Sequence, residues 1–265
     1  MARVRYGPRG EAEIAAARAA VGKLPDIWST GVSAVWESDP DAVAAVLPPP
    51  LKPTERPLVR VSVSRVELPG YRLGAGSFAV AARHGGREGW YPLVMPMTHE
   101  RALIGGREVF GEPKKLGEVV IERVGDVIGA RLARHGIAFV EVRGAVSGRL
   151  PLPEPAEKLD FYFKFLPAVD GKGFDGDPVL VHCTRNERFR KLESVTGDVV
   201  LRESAYDPVA DLPVRRIVEI TLGEKTSDQQ GRVVERVSAQ ALLPYIHQRY
   251  DDARQILDGP PEASA

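Results

Sequence analysis

Hydrophobic positions along the chain change period several times, and each change marks an element. Residues 10–22 place Ala12, Ile14, Ala15 and Val21 among good helix formers, with Gly22 as a stop, which predicts a helix. Asp39-Pro40-Asp41 has the form of an N-cap followed by proline in the first turn. It opens a second short helix over residues 42–47, which Pro48-Pro49-Pro50 ends. From there the period is two. Val59, Val61 and Val63 alternate with Arg60, Ser62 and Ser64, the pattern of a half-buried strand. Phe78, Val80 and Ala82 run into His84-Gly85-Gly86-Arg87, a glycine-bearing hairpin turn, and the return strand carries Trp90, Tyr91, Leu93 and Val94. Pro92 and Pro96 withhold two amide donors there and imply an edge or a bulge. Residues 127–133 and 137–142 flank Arg134-His135-Gly136, a second hairpin. Residues 160–166 alternate Phe161, Phe163 and Phe165 against Tyr162, Lys164 and Leu166. Further strands fit residues 179–182, 199–203, 217–222 and 233–237. Ser238 caps a last helix that Pro244 interrupts and that resumes to about residue 257, before a tail over 259–265 that reads as disordered.

Many short strands in one run, with no repeat and no boundary, predict a single β-rich α+β domain over residues 1–258. Its sheet is antiparallel and its few helices are peripheral. The 26 glycines and 22 prolines are spread as punctuation between elements, which fits that picture. Charge narrows the function. Lys+Arg and Asp+Glu number 36 each, so no net field draws nucleic acid or an anionic membrane. The lone Cys183 makes no internal disulfide and is one thiol short of the simplest zinc pair; it reads as a small buried hydrophobe, and a cytoplasmic location fits. No window approaches the roughly 18–20 apolar residues of a membrane helix, and the N-terminal segment has no apolar core of a signal peptide, so a soluble protein is expected.

Familiar catalytic patterns are missing. There is no dinucleotide or phosphate loop and no Gly-x-Ser-x-Gly elbow, and the five histidines lack metal-ligand spacing. Neither a metal nor a cofactor is expected, and His84 and His135, in turns, are expected to be solvated. What remains is the segment from Gly105 to Gly117, in which Pro113 fixes the backbone just ahead of the pair Lys114-Lys115. Read alone, adjacent lysines are a solvated basic turn. In an extended stretch, however, successive side chains face opposite ways, so one lysine can face inward and the other solvent. An inward lysine offers carbonyl chemistry. A free lysine titrates near 10.4, so about one in a few thousand is neutral at pH 7, and attack on a ketone needs surroundings that favour the uncharged amine. Burial in an apolar site or a second cation supplies them. The resulting protonated imine is an electron sink for the carbanion left when CO2 departs from a β-keto acid.

Residues 106–118, Gly-Arg-Glu-Val-Phe-Gly-Glu-Pro-Lys-Lys-Leu-Gly-Glu, resemble the signature of the acetoacetate decarboxylase family. Residues 36–48, residues 86–92 and Leu243-Pro244-Tyr245 support the resemblance in the expected order. It implies a cone-like antiparallel β-barrel around an apolar cavity, homo-oligomeric assembly, a small keto acid as substrate and no cofactor. It also implies that Lys114 forms the imine and that Lys115 is the neighbouring cation. Arg107 and Glu108 match the motif's Arg-Glu pair, either as a carboxylate anchor and its companion or as a structural ion pair. The family's upstream glutamate has no counterpart in Leu73-Gly74-Ala75-Gly76-Ser77-Phe78, whereas Glu112 stands where an uncharged residue is usual. Facing the cavity, Glu112 is a relocated acid–base group or a counter-charge; facing solvent, it does nothing catalytic. Decarboxylation of a β-keto acid such as acetoacetate is therefore the default expectation. Aldol condensation or dehydration through the same imine, and a non-catalytic carrier of small ligands, stand as alternatives.

Overall fold

A computed structural model describes residues 4–21, 26–68 and 70–251. In chain order the elements are α1 (Glu11–Val21), β1 (Ser29–Glu37), α2 (Pro40–Ala45), β2 (Lys52–Pro53), β3 (Leu58–Leu68), β4 (Tyr71–His84), β5 (Arg87–Met97), α3 (Glu100–Val109), β6 (Lys114–Leu116), β7 (Glu118–Val124), β8 (Val127–Arg134), β9 (Ile137–Arg149), β10 (Ala156–Lys164), β11 (Val179–Leu201), β12 (Arg216–Arg236) and α4 (Ala239–Leu242). The fold is β-rich with a few peripheral helices, as the periodicity predicts. Asp39 caps α2 by accepting from the amides of Asp41 and Ala42 at 2.9 and 3.1 Å, and Ser238 caps α4. A 3-10 turn over Leu243–Gln248, with Pro244 near its start, follows α4; the expected continuation of that helix toward residue 257 and the tail lie outside the described residues.

The main sheet runs β10-β5-β4-β3-β1-β12-β11-β9-β8-β7, and β10 also pairs with β11. The sheet thus curls back on itself through β10. The seam is thin, because β10 meets β5 through the single parallel pair Asp160 and Trp90. The expected antiparallel cone takes the form of a curled mixed sheet. Its only parallel contacts among the described residues are that bridge and the three-residue pairing of β6 with β5. Both hairpins lie where the glycines placed them: Gly85, Gly86 and Gly136 have positive φ, a conformation costly to other residues. The register of β4 on β5 slips between Phe78 and Ala79, opposite the Pro92 region, so the prolines mark a bulge.

Period-two alternation sends one set of side chains to a core and the other to a cavity. Val59, Val61 and Val63 of β3, Val32, Ala34 and Trp36 of β1, and Phe78 and Val80 of β4 are fully buried. They pack with Ile128, Leu132, Phe139 and Val140, which β8 and β9 bring back over that face. Burying each of the valine, leucine, isoleucine and phenylalanine side chains among them is worth roughly 1.5–3 kcal/mol. On the opposite face the same strands present Ser29, Gly31, Ser33, Ser62, Ser64, Ala75 and Ser77, whose small size leaves a hollow. The polar half of the β3 alternation therefore lines an internal chamber rather than bulk solvent.

Candidate active site

The chamber has a volume of about 610 Å3 and is walled by β1, β3, β4, β5, β10, β11 and β12. Lys114 enters it from the start of β6, a strand short enough that its position depends on neighbours. Met95 N donates to Pro113 O at 3.0 Å, Arg107 Nη1 donates to Lys114 O at 2.9 Å, and Arg249 Nη2 donates to Arg107 O at 3.2 Å. Arg249 also donates to the carbonyls of Gly111 and Phe163. Arg249, buried, and Arg107, half-buried, thus hold the turn that aims Lys114.

The Lys114 amine lies 2.7 Å from Glu112 Oε2 and donates to Ala102 O, in the first turn of α3, at 3.2 Å. Glu112 is 1% exposed, and its other oxygen is held by Arg185 Nη2 at 3.0 Å and by Gln229 Nε2 at 2.9 Å. Burial pushes the Glu112 pKa up, but Lys114 and Arg185 together outweigh it and hold the carboxyl below its ordinary range. Arg185 is paired in turn with Asp160 and donates to Tyr162 OH at 3.0 Å. Burial, reinforced by the Glu112 charge, raises the Tyr162 pKa well above normal, so the phenol is neutral. Cys183, fully buried, is pushed up to about 11 by burial and receives a hydrogen bond from Gln229 at 3.2 Å; it is a protonated thiol packed behind the site.

Gly106 permits this crowding. A Cβ there would lie 2.1 Å from Glu112 Oε2 and 2.6 Å from Lys114 Nζ, so the helix backbone itself forms one wall of the ion pair.

Several expectations change. Lys115 faces neither solvent nor the Lys114 amine. Strand alternation turns it to the opposite side, into a buried cluster where its amine meets Asp207 Oδ1 at 3.3 Å and Asp251 Oδ1 at 2.9 Å, beside Arg134. The cation that shares a carboxylate with Lys114 is Arg185, not Lys115. Arg107 braces backbone carbonyls and packs over Tyr250 rather than entering the cavity, and Glu108 is exposed on α3; they form no ion pair with each other among the described residues. Glu112 faces the chamber, not solvent. The lining is mixed rather than apolar, with Met95 and Met97 beside a chain of charges. His84 is not solvated, since Nδ1 lies 2.9 Å from His182 Nε2 and Nε2 lies 2.9 Å from Glu235. No metal-binding cluster occurs among the described residues.

Sequence reasoning missed Arg185, Asp160 and Gln229. The one available signal was parity: Cys183, Arg185 and Glu187 share a face of β11, so a charge recurs on a face that begins buried.

The fold and the curated relatives agree. The chain is 32% identical over 198 residues to an acetoacetate decarboxylase of Burkholderia multivorans, covering 69% of this chain and 76% of that protein. A solved acetoacetate decarboxylase superposes with a TM-score of 0.71 at 20% identity, covering 80% of this chain and 91% of the other. The enduracididine biosynthesis enzyme MppR, solved with the condensation product of pyruvate and imidazole 4-carboxaldehyde, gives a TM-score of 0.68 at 18% identity over 81% of this chain and 91% of its own. At such identities the superpositions speak to the fold. Residues 5–238 match the family described as Acetoacetate decarboxylase (ADC), and the chain belongs to that family.

Proposed function

We propose that this protein is a cofactor-independent lyase that forms an imine between Lys114 and a small keto acid, with decarboxylation of a β-keto acid as its reaction. The observation that carries the reading is the place of the Lys114 amine inside a chamber large enough for substrate, where the carboxylate it meets at 2.7 Å is shared with the Arg185 cation and so is not the counter-charge of the amine alone. Attack on a ketone requires the amine to shed a proton, and Glu112 is the acceptor already in contact. The nitrogen lone pair then adds to the carbonyl carbon. Glu112 returns the proton to the carbinolamine oxygen, and water leaves to give a protonated imine. The bond to the carboxylate breaks, its electron pair moves into the iminium, and CO2 departs from an enamine. Protonation of the α-carbon and hydrolysis release the ketone. Arg185 and Gln229 act as positioning residues, since they fix the carboxylate that faces the amine. The family's homo-oligomeric assembly is part of this proposal.

The second reading is aldol condensation or dehydration through the same imine. It draws on the volume of about 610 Å3, which leaves room for a second carbonyl compound, and on a carboxylate placed to take a proton from an α-carbon. Incubation with acetoacetate, and separately with pyruvate plus an aldehyde, under cyanoborohydride separates the two. Release of CO2 supports decarboxylation, and a new carbon–carbon bond supports the alternative. No adduct with either substrate removes both.

A further inference from the structure

Beyond the Lys114–Glu112 pair two arginines reach the chamber, and they are unequally engaged. Arg185 is occupied by Glu112, Asp160 and Tyr162. Arg60 makes one hydrogen bond among the described residues, from Nη2 to Asp160 Oδ1 at 3.3 Å, and its buried Nε has no partner. A guanidinium has five N–H donors, so most of its capacity is unspent. Its side chain is 20% exposed and lines the chamber, and Trp90 backs it with the ring centroid 4.5 Å from Cζ.

The charges on this wall alternate. From Lys114 they pass through Glu112, Arg185 and Asp160 to Arg60, and Lys225 pairs with Glu187 nearby. Lys158, Glu154 and Glu219 also line the chamber, so its charges balance as a whole, five cations against five carboxylates; what is uneven is local, because Arg60 shares its one carboxylate, Asp160, with Arg185. Were a substrate to lose its only carboxylate as CO2, the donors of Arg60 would stay idle in a partly desolvated wall. Burial pushes the Arg60 pKa below its usual value against the opposing pull of Glu187, which is the environment a bound anion would relieve.

The geometry points to Arg60 as the anchor of a second anionic group that the substrate keeps through the reaction, so that the preferred substrate is a keto-dicarboxylate rather than a simple keto-monocarboxylate. This rests on the imine at Lys114. The guanidinium fork suits a carboxylate bidentately, and the indole behind it holds the plane in place.

The test compares 3-oxoglutarate, its monomethyl ester and acetoacetate by the concentration that half-saturates cyanoborohydride-trapped adduct formation on the full chain. The expected result is half-saturation at least about tenfold lower for the dicarboxylate than for the ester or acetoacetate, the scale of one charge-assisted pair. Arg60→Gln should collapse the ratio toward one, and Arg60→Lys should leave it intermediate. The ester removes the charge from the ligand, so the comparison stands even where a variant folds poorly. Equal half-saturation of the three ligands by the unaltered chain, or an unchanged ratio in a folded Arg60→Gln, overturns the proposal. Failure of the imine reading looks different, because no adduct then forms with any of the three. Calorimetric binding of 3-oxoglutarate with the same Arg60 dependence would in that case still report the anchor.

Discussion

Replacing Gly106 by alanine sets two physical effects against each other. In a helix interior Gly→Ala is favourable by roughly 0.5–1 kcal/mol, through backbone entropy alone. At Gly106 the new Cβ would sit 2.1 Å from Glu112 Oε2, 2.6 Å from Lys114 Cδ and 2.6 Å from Lys114 Nζ. Contact distances of at least about 3 Å force the carboxylate or the amine to move by roughly 1 Å, and a displacement of that size at reacting groups costs on the order of 100-fold in rate. The displaced atoms are the ends of flexible side chains, so the cost in stability is small while the cost in chemistry is large. Gly105→Ala is the internal control, because a Cβ there meets nothing within 4 Å. It should raise the melting temperature by a few degrees, the shift expected of about 1 kcal/mol in a domain of this size, and leave adduct formation alone. The assay is a thermal melt beside the rate of borohydride-trapped adduct formation with acetoacetate. Gly106→Ala should melt within a few degrees of the parent and trap roughly 100-fold more slowly. A Gly106→Ala protein that traps at the parental rate would refute the argument that the helix backbone walls the ion pair.

Three further outcomes follow from particular contacts. Glu112→Gln keeps the size of the side chain but removes the proton acceptor, so trapping at Lys114 should slow by about 100-fold or more, measured by intact mass against time; an unslowed reaction would exclude Glu112 as the proton carrier. Asp207→Asn takes a carboxylate from the buried cluster with Lys115 and Arg134, whose Nη1 lies 2.7 Å from Asp207 Oδ2. It should cost on the order of 3–5 kcal/mol in urea unfolding, and a change below about 1 kcal/mol would show that the cluster does not hold β6 to the rest of the fold. His182 is held down to about 4, first by burial and then by the adjacent His84 ring and the neighbouring arginines Arg87 and Arg232. Its folded pKa is below the unfolded value near 6.5, so the unfolded chain binds the extra proton and stability should fall as pH drops from about 6.5 toward 4. His182→Gln should flatten that part of the melting-temperature profile, and an unaltered slope would assign the acid sensitivity elsewhere.

The sequence was most legible where structure is local. Two hairpins were readable because Gly85, Gly86 and Gly136 supply the positive φ their turns need, and α2 because Asp39 and Pro40 are an N-cap and a first turn. Strand β1 escaped notice because its cavity face is Ser29, Gly31 and Ser33, which dilutes the apolar alternation of Val32, Ala34 and Trp36. The 23 residues of β11 and the 21 of β12 read as separate strands because polar stretches around Arg188 and Gln230 interrupt the pattern. Helix α3 was hidden by Gly105 and Gly106, the second of which is there for the ion pair rather than the helix. In the site, the proline-lysine-lysine segment drew attention to Lys114 and Glu112 together. The partners that decide their environment lie far off: Arg185 is 73 residues from Glu112 and Gln229 is 117. The partners of Lys115 are illegible for the same reason, since its carboxylates at Asp207 and Asp251 are 92 and 136 residues away. Alternation told which way the second lysine turns but not what it would meet.

Peptide mapping after borohydride reduction with acetoacetate interrogates the account most directly. The account predicts a single reduced adduct on Lys114, absent in Lys114→Ala and present in Lys115→Ala wherever that variant remains folded. A reduced adduct located on another amine, or none on a folded protein saturated with substrate, would contradict it.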